Sequence, residues 1–264
     1  MLELYQFELS QYSEKVRLIL DYKELEYRTI EVTPGVGQLE LFRLSGQRQV
    51  PVLKDGDTIV ADSTAIALYL ERQYPDKPIL PSDARERGLC LMMEEWADES
   101  IGVKSRKALY GGLSQDQSFR TSVLPDPVPD FVKTLVGSVP KELFEVLGYG
   151  VGAGPDEVKA ARDSLQQDLE ALSLMLVDGD RPYLISDRPT LADLTVAGLS
   201  IAIKLPEGSF LNVPDALKGK GIPGLADNPS YQPFFEWRDR LYSEVRKSSG
   251  SRPSASSPTA IEIE

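Results

Sequence analysis

The sequence predicts an α/β domain of order β-α-β-α-β-β-α, followed by an all-α domain. Three observations support this prediction. Short apolar runs alternate with helical patterns over residues 1–76, a linker with prolines follows at 77–84, and the apolar residues of 85–247 repeat with helical spacing. A chain of 264 residues is long for one compact domain and long enough for two, so a sizeable core is available.

The first strand and the first helix meet at a short polar turn. An apolar-rich run from Leu2 to Phe7 predicts a buried strand, residues 8–12 form the turn, and a helical face begins after Ser13. Such a turn brings the first N–H groups of the helix and the positive end of its dipole to one point, where Ser10 lies. Two interpretations of Ser10 stay open: it caps the helix, as Ser13 also could, or its hydroxyl donates to an anion such as a thiolate.

The spacing of apolar residues and the positions of turn residues predict the rest of the first domain. Alternation from Tyr27 to Val32 indicates a strand parallel to the first, since a helix connects the two. Asp55-Gly56 stands between two short apolar runs and predicts a hairpin that turns at these two residues. Asp62-Ser63 then predicts the start of a helix that ends near Tyr74.

The second domain carries apolar residues on helical faces. The predicted inward-facing residues are Leu89, Met93 and Trp96 of one helix, Leu165, Leu169, Leu172 and Leu176 of a second, and Phe234, Trp237, Leu241 and Val245 of the last. Thr190 and Asp193 have the spacing of a capping box and open a further core helix.

Two stretches of the second half stand out by composition. Residues 111–155 combine prolines with apolar side chains and are too apolar to be a disordered linker. Residues 248–264 are rich in serine and proline and predict a disordered tail.

Composition excludes several classes of function. A net charge of −12 argues against nucleic-acid and anionic-membrane partners, which need a basic surface. The chain has no histidine and one cysteine, so no Cys/His metal site and no Ser-His triad is predicted. Cys90 lies in an apolar helical run and is expected to be a buried hydrophobe. No apolar run is long enough to span a bilayer and no signal pattern opens the chain, which predicts a soluble, cytoplasmic protein.

Three N-terminal motifs occur in order. They are S-x-x-S-x-K-V-R from Ser10 to Arg17, V-P-V-L from Val50 to Leu53, and D-S-x-A-I from Asp62 to Ile66. Together they resemble the glutathione transferase family, and the P-T-L-A-D run that ends at Asp193 resembles a C-terminal motif of the same family. The resemblance implies a thioredoxin-like first domain, glutathione as co-substrate, a small hydrophobic electrophile as second substrate, no metal, a homodimer and a role in detoxification.

The same resemblance implies where glutathione binds. The Ser63 hydroxyl and nearby N–H groups would hold the γ-glutamyl carboxylate, and Asp62 would pair with the amine. Val50 before Pro51 resembles the cis-proline edge at which the cysteinyl backbone of glutathione adds to the sheet. Gln49, with Arg48 and Lys15, would meet the glycyl carboxylate.

Alignment through Lys15-Val16-Arg17 places Ser10 where family members with a serine or cysteine keep the residue that contacts the thiolate. Tyr12 is the runner-up, and Tyr5 is also close in sequence. With serine at this position, thiol–disulfide exchange through an enzyme cysteine is not available. The resemblance also implies a pocket for the hydrophobic substrate, expected to include Tyr12, Tyr110 and Phe119. Relative to the family pattern, residues 111–155 contain an insertion, which either reshapes this pocket or adds a helix pair for stability or dimer contact.

Two alternatives to glutathione transfer stay open at this point. One is a glutathione-dependent peroxidase or isomerase, which would use the same site with a different second substrate. The other is a non-catalytic binding protein that keeps the fold, for which loss of Ser10 or of Asp62-Ser63 would be the usual sign; all three residues are present.

Overall fold

A computed structural model of the protein describes residues 1–33, 36–115, 154–177, 181–246 and 254–255. The first domain is built on a mixed sheet in which β1 is central. Its elements are β1 (Leu2–Gln6), α1 (Gln11–Tyr22), β2 (Tyr27–Glu31), α2 (Val36–Ser45), β3 (Val52–Asp55), β4 (Thr58–Ala61) and α3 (Ser63–Gln73). β1 pairs parallel with β2 and antiparallel with β3, and the strand order of these four is β4-β3-β1-β2. The predicted thioredoxin-like arrangement is confirmed.

The hairpin between β3 and β4 turns one residue later than predicted. Asp55 pairs with Thr58, so the two turn residues are Gly56 and Asp57. Gly56 has φ 58°, a left-handed conformation that costs glycine little because it has no Cβ. The turn is therefore placed by the residue that tolerates positive φ, and Asp55 stays in the strand.

α1 begins two residues earlier than the apolar pattern indicates. Its first residue is Gln11, and Ser10 is the N-cap, with its side chain accepting a hydrogen bond from the N–H of Ser13. The buried side chains of the first turn are polar, which is why the apolar pattern did not reveal it. Gln11 and Ser13 are both buried although neither is apolar.

The second domain is helical. Its helices are α4 (Ala84–Ala97), α5 (Val103–Gln115), α6 (Pro155–Val177), α7 (Leu191–Leu199) and α8 (Gln232–Val245), with a π-helical turn at Asp98–Gly102 between α4 and α5. The predicted inward face of α6 is confirmed, because Leu165, Leu169 and Leu172 are buried and Leu176 packs on the core.

The predicted inward face of α4 is partly wrong. Leu89 is 48% exposed, whereas Cys90 and Ala97 are fully buried and Met93 and Trp96 are half-buried. The buried face is turned by one residue, because α4 packs against α7 through its small side chains.

α7 is the central helix of the second domain, and every one of its residues is buried. The predicted capping box opens it: Asp193 Oδ2 accepts from the N–H of Thr190 at 2.8 Å and from its hydroxyl at 2.6 Å. Asp193 Oδ1 accepts from the N–H of Leu184 at 2.8 Å. Burial raises the pKa of Asp193, and these hydrogen bonds oppose that rise. Asp193 is thus a folding residue, as its spacing predicts.

α1 and α7 pack at very close range and join the two domains into one hydrophobic core. Gly198 of α7 lies against the backbone of Lys15 in α1. A Cβ at Gly198 would stand 2.7 Å from both the N and the Cα of Lys15. Only glycine fits this crossing, which fixes the first domain on the second.

Several predictions fall outside the described residues. Most of the predicted insertion at 111–155, including Phe119, belongs to them, and α5 covers its beginning. Within the predicted disordered tail, Ser254–Ala255 instead form a short strand, β5, that pairs parallel with β2, so the prediction is wrong at these two residues. The boundaries at 76, 84 and 247 stay predictions. No described helix combines the length and the apolar character needed to cross a bilayer.

The contact between α1 and α7 generates a stability prediction with a matched control. Gly198→Ala is expected to lower the free energy of unfolding by about 1–3 kcal/mol, because the added methyl group overpacks the contact with α1. Gly88→Ala on α4, where a Cβ meets nothing within 4 Å, is expected to raise it by about 0.5–1 kcal/mol through helix propensity. Urea denaturation measures both. A Gly198→Ala protein as stable as its parent would contradict the close crossing.

Candidate functional site

A cavity of about 800 Å³ lies between the two domains. One wall comes from the first domain, from the turn after β1, the loop before β3 and the start of α3. The other wall comes from the π-helical turn, α5 and the segment 201–221. The cavity therefore exists only because the crossing of α1 and α7 holds the domains together.

Ser10 lies on the first wall, at the N-terminus of α1. Its backbone N–H donates to the carbonyl of Phe7 at 2.9 Å, and its Oγ accepts from the N–H of Ser13 at 3.3 Å. The side chain is half-buried and lines the cavity. A hydroxyl that accepts one hydrogen bond still has a proton to donate. Both interpretations of Ser10 are thus compatible with its geometry: it caps α1, and its proton is free to point at a ligand.

Tyr12 also lines the cavity, but its hydroxyl is engaged. It donates to the carbonyl of Asp98 at 3.3 Å. A Cβ at Gly102 would stand 2.5 Å from the Tyr12 hydroxyl oxygen, so this glycine makes room for the ring. Burial raises the pKa of Tyr12, which keeps the phenol protonated at neutral pH. Tyr5 does not line the cavity, and its hydroxyl points to Glu3 at 3.5 Å.

The loop before β3 brings a backbone edge to the same wall. The peptide bond between Val50 and Pro51 is cis, as the sequence motif predicts. The paired residues of β3 begin at Val52, so Val50 lies beyond the ladder with β1 and β4. Arg48 and Gln49 line the cavity beside it, and both side chains are exposed.

Asp62 and Ser63 complete this wall. Asp62 has φ 79°, rare for a residue with a Cβ, and caps α3 by accepting from the N–H groups of Thr64 at 3.0 Å and Ala65 at 2.9 Å. Both bonds use Oδ1, so within the described part of the chain Oδ2 has no hydrogen-bond donor. Ser63 is the first residue of α3 and is buried, with its side chain at the cavity. Strained backbone of this kind concentrates at functional sites.

Lys15 does not reach the cavity, contrary to the expectation that it meets a carboxylate of the ligand. Its ammonium is fully buried and donates to Asp98 at 2.9 Å, to Thr64 at 3.0 Å and to Glu94. A buried ammonium must be paired, and this pairing links α1 to α3 and to the end of α4. Lys15 is therefore a structural residue that holds the floor of the site.

The opposite wall is largely apolar. Leu109 and Leu113 of α5 line it, together with Ile201, Leu205 and Leu217. Tyr110 was expected here, but it is not among the lining residues. Leu109 and Leu113 are four residues apart and share one helical face, while Tyr110 lies about 100° further around the helix.

The segment 201–221 is the part of the site that sequence reasoning missed. Its prolines and glycines indicate a surface connection, yet it folds against the cavity through an antiparallel bridge between Lys204 and Gly221. A Cβ at Gly221 would stand 2.1 Å from the carbonyl oxygen of Ile203, so glycine is required at this approach. Apolar residues inside the connection, Leu205 and Leu217, were the available signal.

Comparison with known proteins agrees with this architecture. Residues 4–78 match the family model described as "Glutathione S-transferase, N-terminal domain". A zeta-class glutathione S-transferase of Euphorbia esula is 36% identical over 120 residues, which are 44% of this chain and 53% of that protein. A maleylacetoacetate isomerase of Dictyostelium discoideum is 33% identical over 117 residues, 42% of this chain and 53% of that protein. The chain spans about half the length of these curated relatives.

Two solved structures share the fold over most of the chain. A glutathione S-transferase of Methylobacterium radiotolerans, in complex with glutathione sulfonate, has a TM-score of 0.62 at 19% identity and covers 99% of both chains. A glutathione S-transferase of Rhodospirillum rubrum has a TM-score of 0.61 at 23% identity, over 92% of this chain and 88% of that one.

Proposed function

We propose that this protein, whose residues 4–78 are a glutathione S-transferase N-terminal domain, binds glutathione, stabilises its thiolate and conjugates it to a small electrophile. The observation that carries the proposal is the convergence of three features on one wall of the cavity. These are Ser10 at the start of α1, the free edge at Val50, and Asp62-Ser63 at the start of α3. An apolar wall stands opposite them.

The start of α3 fits the γ-glutamyl end of glutathione. That end carries a carboxylate and an amine on one carbon. The first N–H groups of α3 and the Ser63 hydroxyl favour the carboxylate, since a helix N-terminus carries a partial positive charge. The Oδ2 atom of Asp62 is free to accept from the ammonium while Oδ1 caps the helix.

The loop before β3 fits the middle and the glycyl end. The backbone of Val50 can pair antiparallel with the cysteinyl residue, as peptides do at an open sheet edge. Arg48 and Gln49, exposed beside Val50, are in place for the glycyl carboxylate. Lys15 is not available for this role, because its ammonium is held by Glu94 and Asp98.

Ser10 is then the residue that faces the sulfur. A donor at a helix N-terminus favours the thiolate over the thiol, and lowering a thiol pKa by about two units stabilises the ionised form by roughly 2.7 kcal/mol. The thiolate attacks the electrophilic carbon, a C–S bond forms, and the leaving group departs with its electron pair. Tyr12 packs beside this point and shapes the pocket, because its hydroxyl is engaged with Asp98.

Isomerisation with glutathione is the second candidate, favoured by the similarity of 117 residues of this chain to the maleylacetoacetate isomerase of Dictyostelium discoideum. The same thiolate would add to an unsaturated substrate and leave again. The two activities differ in stoichiometry: conjugation consumes one glutathione per turnover, and isomerisation consumes none.

A homodimer is the third part of the proposal. α4 presents apolar side chains to solvent: Leu89 is 48% exposed and Met92 72% exposed, and the two lie three residues apart on one face. Such a patch on a soluble helix is typical of an interface. A two-fold contact through α4 would bury both side chains against their counterparts in a second copy.

The proposed ammonium contact generates the first prediction. Asp62→Asn is expected to weaken glutathione binding by about 1–3 kcal/mol, the range for a hydrogen bond to a charged group, while the stability of the protein changes little because asparagine also caps helices and tolerates positive φ. Ser63→Ala is expected to weaken binding by a similar amount. Calorimetry measures the affinities.

The matched control is Asp83→Asn. Asp83 caps α4 in the same way, accepting from the N–H groups of Arg85 and Glu86, and does not line the cavity. Its substitution should leave glutathione affinity unchanged. Unaltered binding in both cavity variants would remove the assignment of Asp62 and Ser63.

The role of Ser10 generates the second prediction. Ser10→Ala is expected to reduce kcat/KM by about ten- to a thousand-fold and to diminish the thiolate absorbance of bound glutathione at neutral pH, with little change in glutathione affinity. Ser10→Thr keeps the hydroxyl and the cap and should retain most of the thiolate signal. Tyr12→Phe should retain it as well. If Tyr12→Phe abolished the signal and Ser10→Ala did not, the two roles would be exchanged.

The apolar face of α4 generates the third prediction. Light scattering at micromolar concentration is expected to give the mass of a dimer, and Met92→Glu to give that of a monomer, because a carboxylate on this face would be desolvated in the contact. Gln166→Glu places the same charge at an exposed polar position of α6 and should leave the dimer intact. A monomeric parent protein would refute the proposal.

A further inference from the structure

The apolar wall of the cavity carries two cationic side chains, Arg106 and Lys220. From them we infer that the second substrate is an anion, an apolar electrophile that bears a carboxylate or a similar single negative group. This inference rests on the proposed glutathione site and specifies the substrate of that site. The expected second substrate is then a hydrophobic electrophile with a negatively charged group at one end.

Arg106 is placed by α5. It precedes Leu109 by three residues and Leu113 by seven, so all three side chains share the face that lines the cavity. Its guanidinium carbon lies 5.4 Å from the centre of the Tyr12 ring, in the arrangement of a cation–π contact. No carboxylate within the described ranges forms an ion pair with it, although the side chain is exposed. The guanidinium stacks on the Tyr12 ring, and its hydrogen-bond donors have no acceptor among the described residues.

Lys220 is placed by the segment 201–221. Its carbonyl accepts from the N–H of Leu205 at 2.8 Å, and its N–H donates to the carbonyl of Leu217 at 3.0 Å. The backbone is therefore fixed on both sides, and the side chain is exposed at the cavity.

Two other lysines of this segment do not line the cavity, and both form ion pairs with carboxylates. Lys218 pairs with Asp215 at 2.5 Å, and Lys204 pairs with Glu207 at 3.3 Å. Lys220 has no such carboxylate among the described residues. Of these three lysines, Lys220 is therefore the one that lines the cavity and has no ion pair among the described residues, so its charge is available to a ligand.

The carboxylates that line the cavity do not neutralise these cations. Asp62 caps α3, and Asp98 is held by Lys15 and Thr64. Glu99 alone, among the described lining carboxylates, has no hydrogen bond or ion pair, so two free cations stand against one free carboxylate on this side. In a chain with 41 acidic and 29 basic residues, unpaired cations at a cavity create a local field that favours anions.

The substrate follows from this distribution. Its reactive carbon would lie near Ser10, its apolar body against leucines such as Leu109 and Leu205, and its negative group on the side of the cavity lined by Arg106 and Lys220. A guanidinium fork binds a carboxylate through paired hydrogen bonds, and an ammonium adds a point charge. Since both cations are partly solvated, the expected preference for an anion over a neutral isostere is about 5- to 50-fold and is weakened by salt.

A matched pair of ligands tests the inference. The probes are the glutathione conjugates of a chlorodinitrobenzoate and of the corresponding chlorodinitrobenzamide, in which the sulfur has replaced the chloride. They differ only in a carboxylate against a carboxamide. Calorimetry on the full-length protein is expected to show about 5- to 50-fold tighter binding of the carboxylate conjugate, with the difference shrinking as ionic strength rises.

Four variants test whether Arg106 and Lys220 cause the preference for the carboxylate conjugate. Arg106→Gln and Lys220→Gln are each expected to reduce the preference several-fold. Lys107→Gln and Lys218→Gln remove the same charge next to each site but outside the cavity lining, and should leave it unchanged. Equal affinities for the two conjugates, or equal effects of the four variants, would overturn the inference.

Turnover separates this result from the proposed function. The parent protein is also assayed for chloride displacement from both chloroarenes by glutathione. If both are conjugated and the two conjugates bind equally, the proposed function stands and the anion inference falls. If the carboxylate conjugate is preferred but neither chloroarene reacts, the anion subsite stands and the proposed transfer falls. If neither conjugate binds, both fall.

Discussion

The structure depends on the crossing of α1 and α7. Gly198 lets the two backbones approach until a methyl group would no longer fit, and the residue it meets is Lys15. The ammonium of that same lysine is buried and paired with Glu94 and Asp98. An unpaired buried charge would be very costly, so the pairing fixes how α1, α4 and the start of α3 lie relative to one another. Because α1 and α3 begin at the cavity and the π-helical turn after α4 lines it, this buried pairing helps to set the shape of the cavity, although Lys15 does not line it.

The N-termini of α1 and α3 form much of the first wall of the cavity. Ser10 caps α1 and Asp62 caps α3, and each uses only part of its hydrogen-bonding capacity for the cap. The free Ser10 proton and the free Asp62 oxygen are what remains for a ligand. Under the proposed function, the same side chains would both cap a helix and bind the ligand.

The two walls have different chemical characters because they come from different domains. The sheet domain offers backbone edges and helix N-termini, which suit a peptide with two carboxylates and an amine. The helical domain offers leucine side chains together with Arg106 and Lys220. Under the proposed function, glutathione would be bound by backbone groups of the sheet domain together with side chains such as Ser63, whereas the second substrate would meet side chains of the helical domain, which can change without altering the sheet.

The sequence by itself determined those features that depend on neighbouring residues. The order of the elements, the cap at Asp62, the capping box at Thr190 and Asp193, and the inward face of α6 could all be predicted, since local hydrogen bonds and helical period govern them.

Tertiary structure alone decided the role of Lys15, whose partner Glu94 lies 79 residues away, and the identity of the apolar wall. Packing fixes the rotation of α5 about its axis, and therefore Leu109 rather than Tyr110 lines the cavity. The segment 201–221 lies at the cavity because of a close backbone contact that only glycine at position 221 allows. Local patterns indicate which face of a helix is apolar, but long-range packing decides what that face meets.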